Sequence, residues 1–287
     1  MIINPAIRAL LPEMTRWRQA LHAIPELGLQ EVETAAKVSA LCRGFGLTVT
    51  ERVGVTGVVA TLQGRRAIKG DEQCRSIGIR AELDALPMSE TRPLPYASTR
   101  PSVMHACGHD GHMAMLLGAA KALAADSDFS GQVHFIFQPA EEGLGGALAM
   151  LADGLFDRFP CDEIYAMHNS AHDLGRVLVH HGVVAAAADR FVIIIKGQGG
   201  HAATPQDARN PLSAAARMLI ALESLPARVT DARQPVVITL GSLNGGDAFN
   251  VIPAEAKLAG TVRALDMATR ARMETEIRRQ EIGRAHV

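Results

Sequence analysis

Cysteine is scarce in this sequence, and its four copies are not paired. Cys42, Cys74, Cys107 and Cys161 are scattered along the chain without CxxC spacing. Closely spaced pairs are typical of zinc ribbons, and conserved-looking sets of cysteines are typical of disulfide frameworks, so the scatter argues against both. We expect three plain thiols and treat Cys107 separately because of its neighbours.

The sequence also lacks an excess of charge of one sign and a long apolar run. Its 29 Lys and Arg residues nearly balance 30 Asp and Glu residues, which leaves a formal net charge of -1. Nucleic acid and anionic membranes are therefore not expected partners. The N-terminus lacks the pattern of a signal peptide, and no stretch of about 18 apolar residues occurs, so we expect a cytoplasmic protein.

What the sequence does contain is ample apolar material in an alternating pattern. Its 287 residues are 48% hydrophobic, enough for one large or two ordinary domains. Helical spacing over Ala6 to Leu21 and Glu31 to Phe45 precedes strands that alternate with helices. This order predicts an α/β fold with a mostly parallel sheet, whose sites lie at the carboxyl ends of strands.

The pattern changes from Asp189 onward. A strand, a helix over Pro211 to Leu225, two strands and a helix over Thr269 to Arg279 follow one another. This β-α-β-β-α order predicts a small, separate two-layer domain.

The densest group of metal-capable side chains is the stretch MHACGHDGH, residues 104–112. Cys107 and His109 flank Gly108, so in an extended or looped backbone they point to one side. His105 and His109 are four apart and can alternatively share a helix face as ordinary, hydrogen-bonded histidines. Because the cluster also contains a thiol, we favour a metal site.

Two further polar groups follow apolar strands. Glu141 and Glu142 come just after the strand in FIFQPAEEG, and His168 ends the strand in YAMHNS. Adjacent side chains diverge after a strand, so one glutamate can bind metal while the other faces a substrate water. A glutamate pair in a loop can also be a simple solvated turn. Convergence of these groups on one sheet edge favours a functional site.

Polar residues of the second domain are candidates for substrate contacts. KGQGGHAATP lacks the GK[ST] ending of a phosphate-binding loop, so His201 is read either as a donor to a developing oxyanion or as an ordinary loop histidine. Arg263 can bind a carboxylate with two hydrogen bonds, although a surface arginine is the default interpretation. Asn250, in NVIP, is like Arg263 a polar residue on the sheet or the edge of this small domain.

These motifs resemble a family, the metallo-amidohydrolases that include hippurate hydrolase, indole-acetyl-amino-acid hydrolase and N-acyl-amino-acid deacylases of the aminoacylase and carboxypeptidase type. The resemblance covers nearly the whole chain in the family's order, through LHAIPELG, RAELDALPM, MHACGHDGHMAMLLGAA, FIFQPAEEG, AMHN, GQGGHAATP and NVIPAEAKLAGTVR.

The resemblance implies a fold and its domains. It implies a catalytic α/β domain, with an inserted ferredoxin-like α+β domain that acts as a lid and forms a homodimer. We expect the catalytic part at residues 1–186 and the dimerisation domain at residues 187–280.

The resemblance also implies a two-metal centre. The ions would be zinc, manganese, cobalt or nickel, bound by Cys107, His109, Glu142 and His168, with Cys107 as a bridge or simple ligand. Glu141 would be the general base.

Further roles follow from the same resemblance. Asp84 would orient a metal ligand or the metals without being one of the ligands itself. His201, reaching across the dimer, would stabilise the tetrahedral oxyanion. Asn250 and Arg263 would hold the carboxylate of the substrate, an N-acyl or N-aroyl amino acid such as hippurate. The implied reaction is hydrolysis of its amide to a carboxylate and a free amino acid, by a metal-activated water.

Three departures from the family pattern concern the surroundings of the site. Glu82 stands where the family has Asp in RADMDALP, Gln206 stands where a histidine is common, and HNSAHDLG replaces an aromatic and proline-rich turn. The first lengthens a side chain behind the metals, and the others bear on substrate preference.

Two alternatives stay open. Cys107 can instead be a nucleophile with a histidine base, which would make the enzyme insensitive to chelation. The chain can also be an inactive, C-terminally truncated fragment that only dimerises or binds ligand. We expect truncation because the family's return to the catalytic domain, with a distal histidine ligand, does not follow, and because residues 281–287 back-translate onto a common sequencing adapter.

Overall fold

The computed structural model of the chain describes residues 4–66, 75–231 and 233–284, with side chains up to residue 280. Cys74 and the last three residues of the predicted read-through segment 281–287 lie outside the described residues. By its internal contacts the chain divides into two compact units, Met1–Arg176 and Val177–Val287.

The first unit consists of five helices and five strands among its described residues. In chain order they are α1 Pro5–His22, α2 Val32–Gly44, β1 Thr48–Val53, β2 Gly57–Gln63, β3 Ser76–Glu82, α3 His109–Ala125, β4 Gln132–Gln138, α4 Gly146–Ala152, α5 Leu155–Arg158 and β5 Glu163–Ala166.

The strands form one mixed sheet in the order β1-β2-β4-β3-β5. β3 is parallel to both β4 and β5, whereas β2 is antiparallel to both β1 and β4. This confirms the α/β class, with the parallel part confined to three strands. β1 and β2 are joined by a short turn, which permits only antiparallel pairing, because parallel strands need a crossover of a dozen or more residues.

The core of this unit lies between the sheet and helices α1, α2 and α3. Phe135 and Phe137 on β4 are completely buried, as are Leu117 on α3 and Leu21 on α1. α3 is mostly apolar from Met113 onward, and β4 is buried from Val133 to Gln138, which is typical of elements covered on most sides. The polar ends of the parallel strands are thereby fixed on a rigid support.

Local sequence signals explain how the helices begin. Asn4 accepts a hydrogen bond from the Ala6 amide and is followed by proline, a favourable start for α1. α3 begins at His109, four residues earlier than its apolar run, because Gly108 adopts a left-handed conformation at φ 90° and turns the chain into the helix. His109 thus occupies the first turn of a buried helix.

The second unit contains a three-stranded antiparallel sheet in the order β6-β10-β8, and a two-stranded sheet of β7 and β9. Its elements are β6 Ala187–Lys196, β7 Gly200–His201, a 3-10 turn Pro205–Asp207, α6 Pro211–Glu223, α7 Leu225–Val229, β8 Val236–Asn244, β9 Val251–Ile252, β10 Glu255–Ala264 and α8 Met267–Arg284. Met218 and Leu222 of α6 and Met273 of α8 pack on Leu258 of β10.

The long elements of this unit follow the predicted β-α-β-β-α order. The predicted domain boundary at residues 186 and 187, the ferredoxin-like topology, and the lid and dimerisation roles stay predictions. Across residues 4–66, 75–231 and 233–284, none of the helices is both long and apolar enough to span a bilayer.

Candidate metal centre

The candidate centre lies where the three parallel strands end. Asp84 follows β3, Glu141 and Glu142 follow β4, and His168 follows β5. These strands are neighbours and run in the same direction, so their carboxyl ends meet at one edge of the sheet. The start of α3 brings His109 to the same edge.

His109 is the central donor of the group. Its side chain is completely buried, and Nδ1 lies 2.8 Å from the backbone oxygen of Asp84 and 3.3 Å from its Oδ1. Nδ1 therefore carries the ring proton and donates a hydrogen bond to Asp84. Nε2 is buried with no hydrogen-bond partner among the described residues, and it lies 4.0 Å from Oε2 of Glu141. A buried imidazole with one nitrogen fixed in this way presents a lone pair suited to a metal ion.

Cys107 and His168 contribute a second pair of donors. Sγ of Cys107 lies 3.4 Å from Nε2 of His168, while Nδ1 of His168 donates to the backbone oxygen of Asn169 at 2.6 Å. The Nε2 lone pair of His168 consequently points to the thiol. Donor atoms of Cys107, His109 and His168 all lie within 4.8 Å of one another, close enough to bind one ion together.

Glu141 and Glu142 form a third part of the centre. One oxygen from each, together with a ring nitrogen of His109, lies within the same 4.8 Å limit. The Glu142 amide donates to Oδ2 of Asp84 at 2.9 Å, which fixes the loop against the end of β3. Oε1 of Glu142 is buried and has no partner among the described residues.

A polar chain behind the centre was not predicted from the sequence. Nδ1 of His112 lies 2.7 Å from Oε2 of Glu82, and its Nε2 contacts both the side-chain oxygen of Asn169 at 2.6 Å and the Asn169 amide at 3.1 Å. Glu82 also accepts a hydrogen bond from Arg80 at 2.5 Å. The longer side chain at position 82 is thus used to reach α3. The signal in the sequence was the spacing of His109 and His112, which share a helix face once α3 starts at His109.

Hydrogen bonds keep the two buried carboxyl groups behind the centre ionised. Burial by itself raises the pKa of Asp84, but hydrogen bonds from His109 and from the Glu142 backbone outweigh it, so that the pKa is lowered. Burial opposes the shift at Glu82 too, where the hydrogen bond from His112 contributes most to a lowered pKa. The edge of the sheet is therefore strongly negative.

This negative charge also affects the donors. Burial raises the pKa of the Cys107 thiol to about 12, assisted by its hydrogen bond to Glu142 and by the nearby Glu141 charge. Burial lowers the pKa of His109, but its hydrogen bonds to Asp84 outweigh that effect and raise it. A divalent cation would balance the excess charge and favour the thiolate and the neutral imidazole, so this set of donors fits a metal ion.

His105 lies apart from these donors. It precedes α3 rather than sharing a helix face with His109. Within the described residues it belongs neither to the two donor groups above nor to a third group, which consists of Glu82, His109 and His112. Its ring is buried, and burial lowers its pKa to about 4. We assign it no role at the centre.

The predicted substrate-contacting residues lie in the second unit. His201 ends β7 and pairs with Val251 of β9, next to Asn250, whose backbone oxygen accepts from the Ala202 amide at 3.0 Å. Arg263 is exposed near the end of β10. Their roles toward substrate stay predictions. Gln206 lies in the 3-10 turn that follows His201.

The α/β sheet and the Cys, His and Glu donors at its edge define a candidate metal-binding centre. The model of peptidase family M20/M25/M40 matches residues 78–277. The chain belongs to this family.

Individual relatives agree with this assignment. The chain is 42% identical over 278 residues to a hippurate hydrolase of Campylobacter jejuni, covering 96% of this chain and 71% of the relative. It is 38% identical to an N-acetyl-L-cysteine deacetylase of Bacillus subtilis, covering 93% of this chain and 63% of the relative. The YXEP protein of Bacillus subtilis, a dinuclear metal-binding peptidase of the M20 family, has a similar structure, with a TM-score of 0.76 and 33% identity over 97% of this chain and 71% of that protein.

Proposed function

We propose that the chain carries the catalytic centre of an enzyme that hydrolyses N-acyl or N-aroyl amino acids to a carboxylate and a free amino acid. Hippurate, which is benzoylglycine, is the model substrate. The similarity to a hippurate hydrolase and to an N-acetyl-L-cysteine deacetylase supports this substrate class, because both names describe an amide between an acyl group and an amino acid.

Two divalent ions would be held by Cys107, His109, Glu142 and His168. The observation that carries the proposal is the buried, unpartnered Nε2 of His109, which lies among the thiol, imidazole and carboxylate donors. The dinuclear centre described for the YXEP protein supports the number two. Zinc, manganese, cobalt and nickel all suit this mixture of sulfur, nitrogen and oxygen donors.

The number of donors limits how two ions can be accommodated. Nε2 of His109 is close to both the Cys107 and the Glu142 groups, but a single imidazole nitrogen binds one ion. Cys107, whose thiol lies near both His109 and His168, would serve either as a ligand of one ion or as a ligand shared by the two.

The bound metals would polarise the scissile carbonyl and lower the pKa of the attacking water. Glu141, whose side chain is exposed at the edge of the centre, takes the proton from that water and passes it to the leaving amine. Asp84 holds His109 in the tautomer that leaves Nε2 free, through the contacts to Nδ1.

The second unit would supply contacts to the substrate. Nδ1 of His201 accepts a hydrogen bond from the Ala203 amide at 3.1 Å, so a neutral ring carries its proton on Nε2. That proton can be donated to a developing oxyanion, across a homodimer formed by this unit. Asn250 and Arg263 would orient the carboxylate of the amino acid.

Glu141→Gln tests the mechanism. General-base catalysis contributes about 10²- to 10⁴-fold to rate, so we expect kcat for benzoylglycine to fall by that factor with the metal content unchanged. Turnover that survives the substitution would contradict the role of Glu141. Glu163→Gln, an exposed change on β5, is the control.

The thiol alternative is separated by inhibitors. The raised pKa of Cys107 opposes a nucleophilic role, because the thiolate is the reactive form. Chelation should abolish turnover and added metal should restore it. A thiol enzyme would survive chelation, and a fragment that only binds ligand would bind metal without turnover.

A further inference from the structure

The segment PELGLQE, residues 25–31, contains two buried carboxyl groups with different tasks. Glu31 directly precedes α2, yet within the described part of the chain its carboxylate does not cap that helix. Glu26 takes that place, because its two oxygens accept from the Glu33 amide at 3.2 Å and the Thr34 amide at 2.8 Å. Glu31 is thereby free to turn toward the sheet.

The Glu31 carboxylate is completely buried and holds the loop after β4. Oε1 accepts from the Ala140 amide at 2.8 Å, and Oε2 accepts from the Thr56 hydroxyl at 2.5 Å. Ala140 has φ 47°, a left-handed conformation that alanine rarely adopts. A strained residue of this kind persists only where its surroundings determine it, and the Glu31 hydrogen bond is one such constraint.

Glycine on the same segment allows the close approach. A Cβ at Gly28 would lie 2.9 Å from Cβ of Ala140, nearer than such atoms come in proteins. The backbone oxygen of Ala140 accepts from the Gly146 amide at 3.0 Å. The amide and the carbonyl group of Ala140 are therefore both fixed by hydrogen bonds, and Gly28 packs against its side chain.

Two buried carboxylates from different elements hold the backbone on either side of Glu141. Glu31 accepts from the Ala140 amide before it, and Asp84 accepts from the Glu142 amide after it. Among the described side chains Glu31 forms no ion pair, whereas the neighbouring Glu26 and Glu33 both pair with Arg100. A buried carboxylate without a cation is costly, so a stabilising role alone does not explain why an acidic residue stands here.

We propose that Glu31 is a positioning residue, which acts through the Ala140 peptide to aim Glu141 and Glu142 at the metal centre. The inference rests on the proposed roles of these two glutamates. Among the described residues, Glu31 itself belongs to none of the groups of metal donors.

The test compares Glu31→Met, which keeps volume but removes the acceptor, with Glu31→Gln, whose amide oxygen can still accept from Ala140. Glu33→Gln is the matched control, because Glu33 is an exposed carboxylate only two residues further along the chain. Gly28→Ala disturbs the same loop from its other side and serves if Glu31→Met fails to fold. Cobalt(II) binding followed by its thiolate absorption reports the centre, and hydrogen exchange of the peptide 139–146 reports the loop without metal or turnover.

We expect Glu31→Met and Gly28→Ala to speed exchange of this peptide and weaken cobalt binding about 10- to 100-fold, the usual effect of losing a partner behind a ligand. Glu31→Gln should restore both to within about threefold, and Glu33→Gln should change neither. For benzoylglycine we expect a lower kcat with little change in KM.

Unchanged exchange in Glu31→Met would overturn the inference, as would equal cobalt affinity in the wild type and that variant. A wild type that binds no cobalt would refute the proposed function instead. In that case hydrogen exchange alone tests the inference. Faster exchange in Glu31→Met, with exchange at the wild-type rate in Glu31→Gln, would support the positioning role.

Discussion

Asp84→Asn removes one charge behind the metal centre while keeping the size of the side chain. Asp84 is buried, accepts from the Glu142 amide at 2.9 Å, and lies 3.3 Å from Nδ1 of His109. The backbone oxygen of Asp84 is nearer to Nδ1, at 2.8 Å, and the substitution leaves that contact in place. The tautomer of His109 is therefore preserved, and only the charge and its polarisation of the ring are lost.

The expected loss in metal affinity follows from this division of contacts. Losing a partner behind a metal ligand costs about 10- to 100-fold. Because the shorter contact, from Nδ1 of His109 to the backbone oxygen of Asp84, remains, we expect a loss of metal affinity at the lower end of this range. That is about tenfold, or ~1.4 kcal/mol in binding free energy. Cobalt(II) or zinc titration of the metal-free protein measures it. Asp128→Asn is the control, since Asp128 is exposed and pairs with Arg66 at the surface.

An affinity of Asp84→Asn within about twofold of the wild type would refute the reasoning, because the carboxylate would then contribute nothing through His109. A loss of several hundredfold with an unfolded apo protein would also refute it. It would mean that Asp84 supports the fold rather than the ligand.

A second prediction concerns Glu26 and the pH dependence of stability. Burial by itself raises the pKa of Glu26. Hydrogen bonds from the Thr34 and Glu33 amides and from Arg100 outweigh burial, so the pKa is lowered. The stabilising contribution of Glu26 is present above its unfolded pKa of about 4.3 and is lost as the pH falls through the lowered pKa of the folded state. In urea titrations below about pH 5, the free energy of unfolding of Glu26→Gln should therefore fall less steeply with pH than that of the wild type. Phe135→Ala, at a fully buried core position, should lower the unfolding free energy by about 3–5 kcal/mol, and a loss under about 1 kcal/mol would contradict the described core.

The sequence predicted those features that depend on local patterns. Helical spacing predicted α1 and α2 to within a residue or two, and the apolar strands predicted β3, β4 and β5. Because polar residues directly follow these three strands, their meeting at one edge was also foreseeable. That convergence required only that the strands be parallel neighbours.

Features that depend on tertiary contacts could not be predicted from the sequence. The contact of His112 with Glu82 needed the true start of α3, which a left-handed Gly108 sets. The contact between Glu31 and Ala140 joins residues 109 positions apart and involves a backbone amide, which has no signature in the side-chain pattern. The antiparallel pairing of β2 with β4 likewise depends on the assembly of the whole sheet.

The most direct test of the account is elemental analysis of metal in the purified chain, paired with benzoylglycine hydrolysis before and after chelation. We expect close to two divalent ions per chain, loss of turnover when they are removed and recovery when metal is returned. Hydrolysis that continues in a metal-free preparation would show that the donors around His109 do not form a catalytic metal centre.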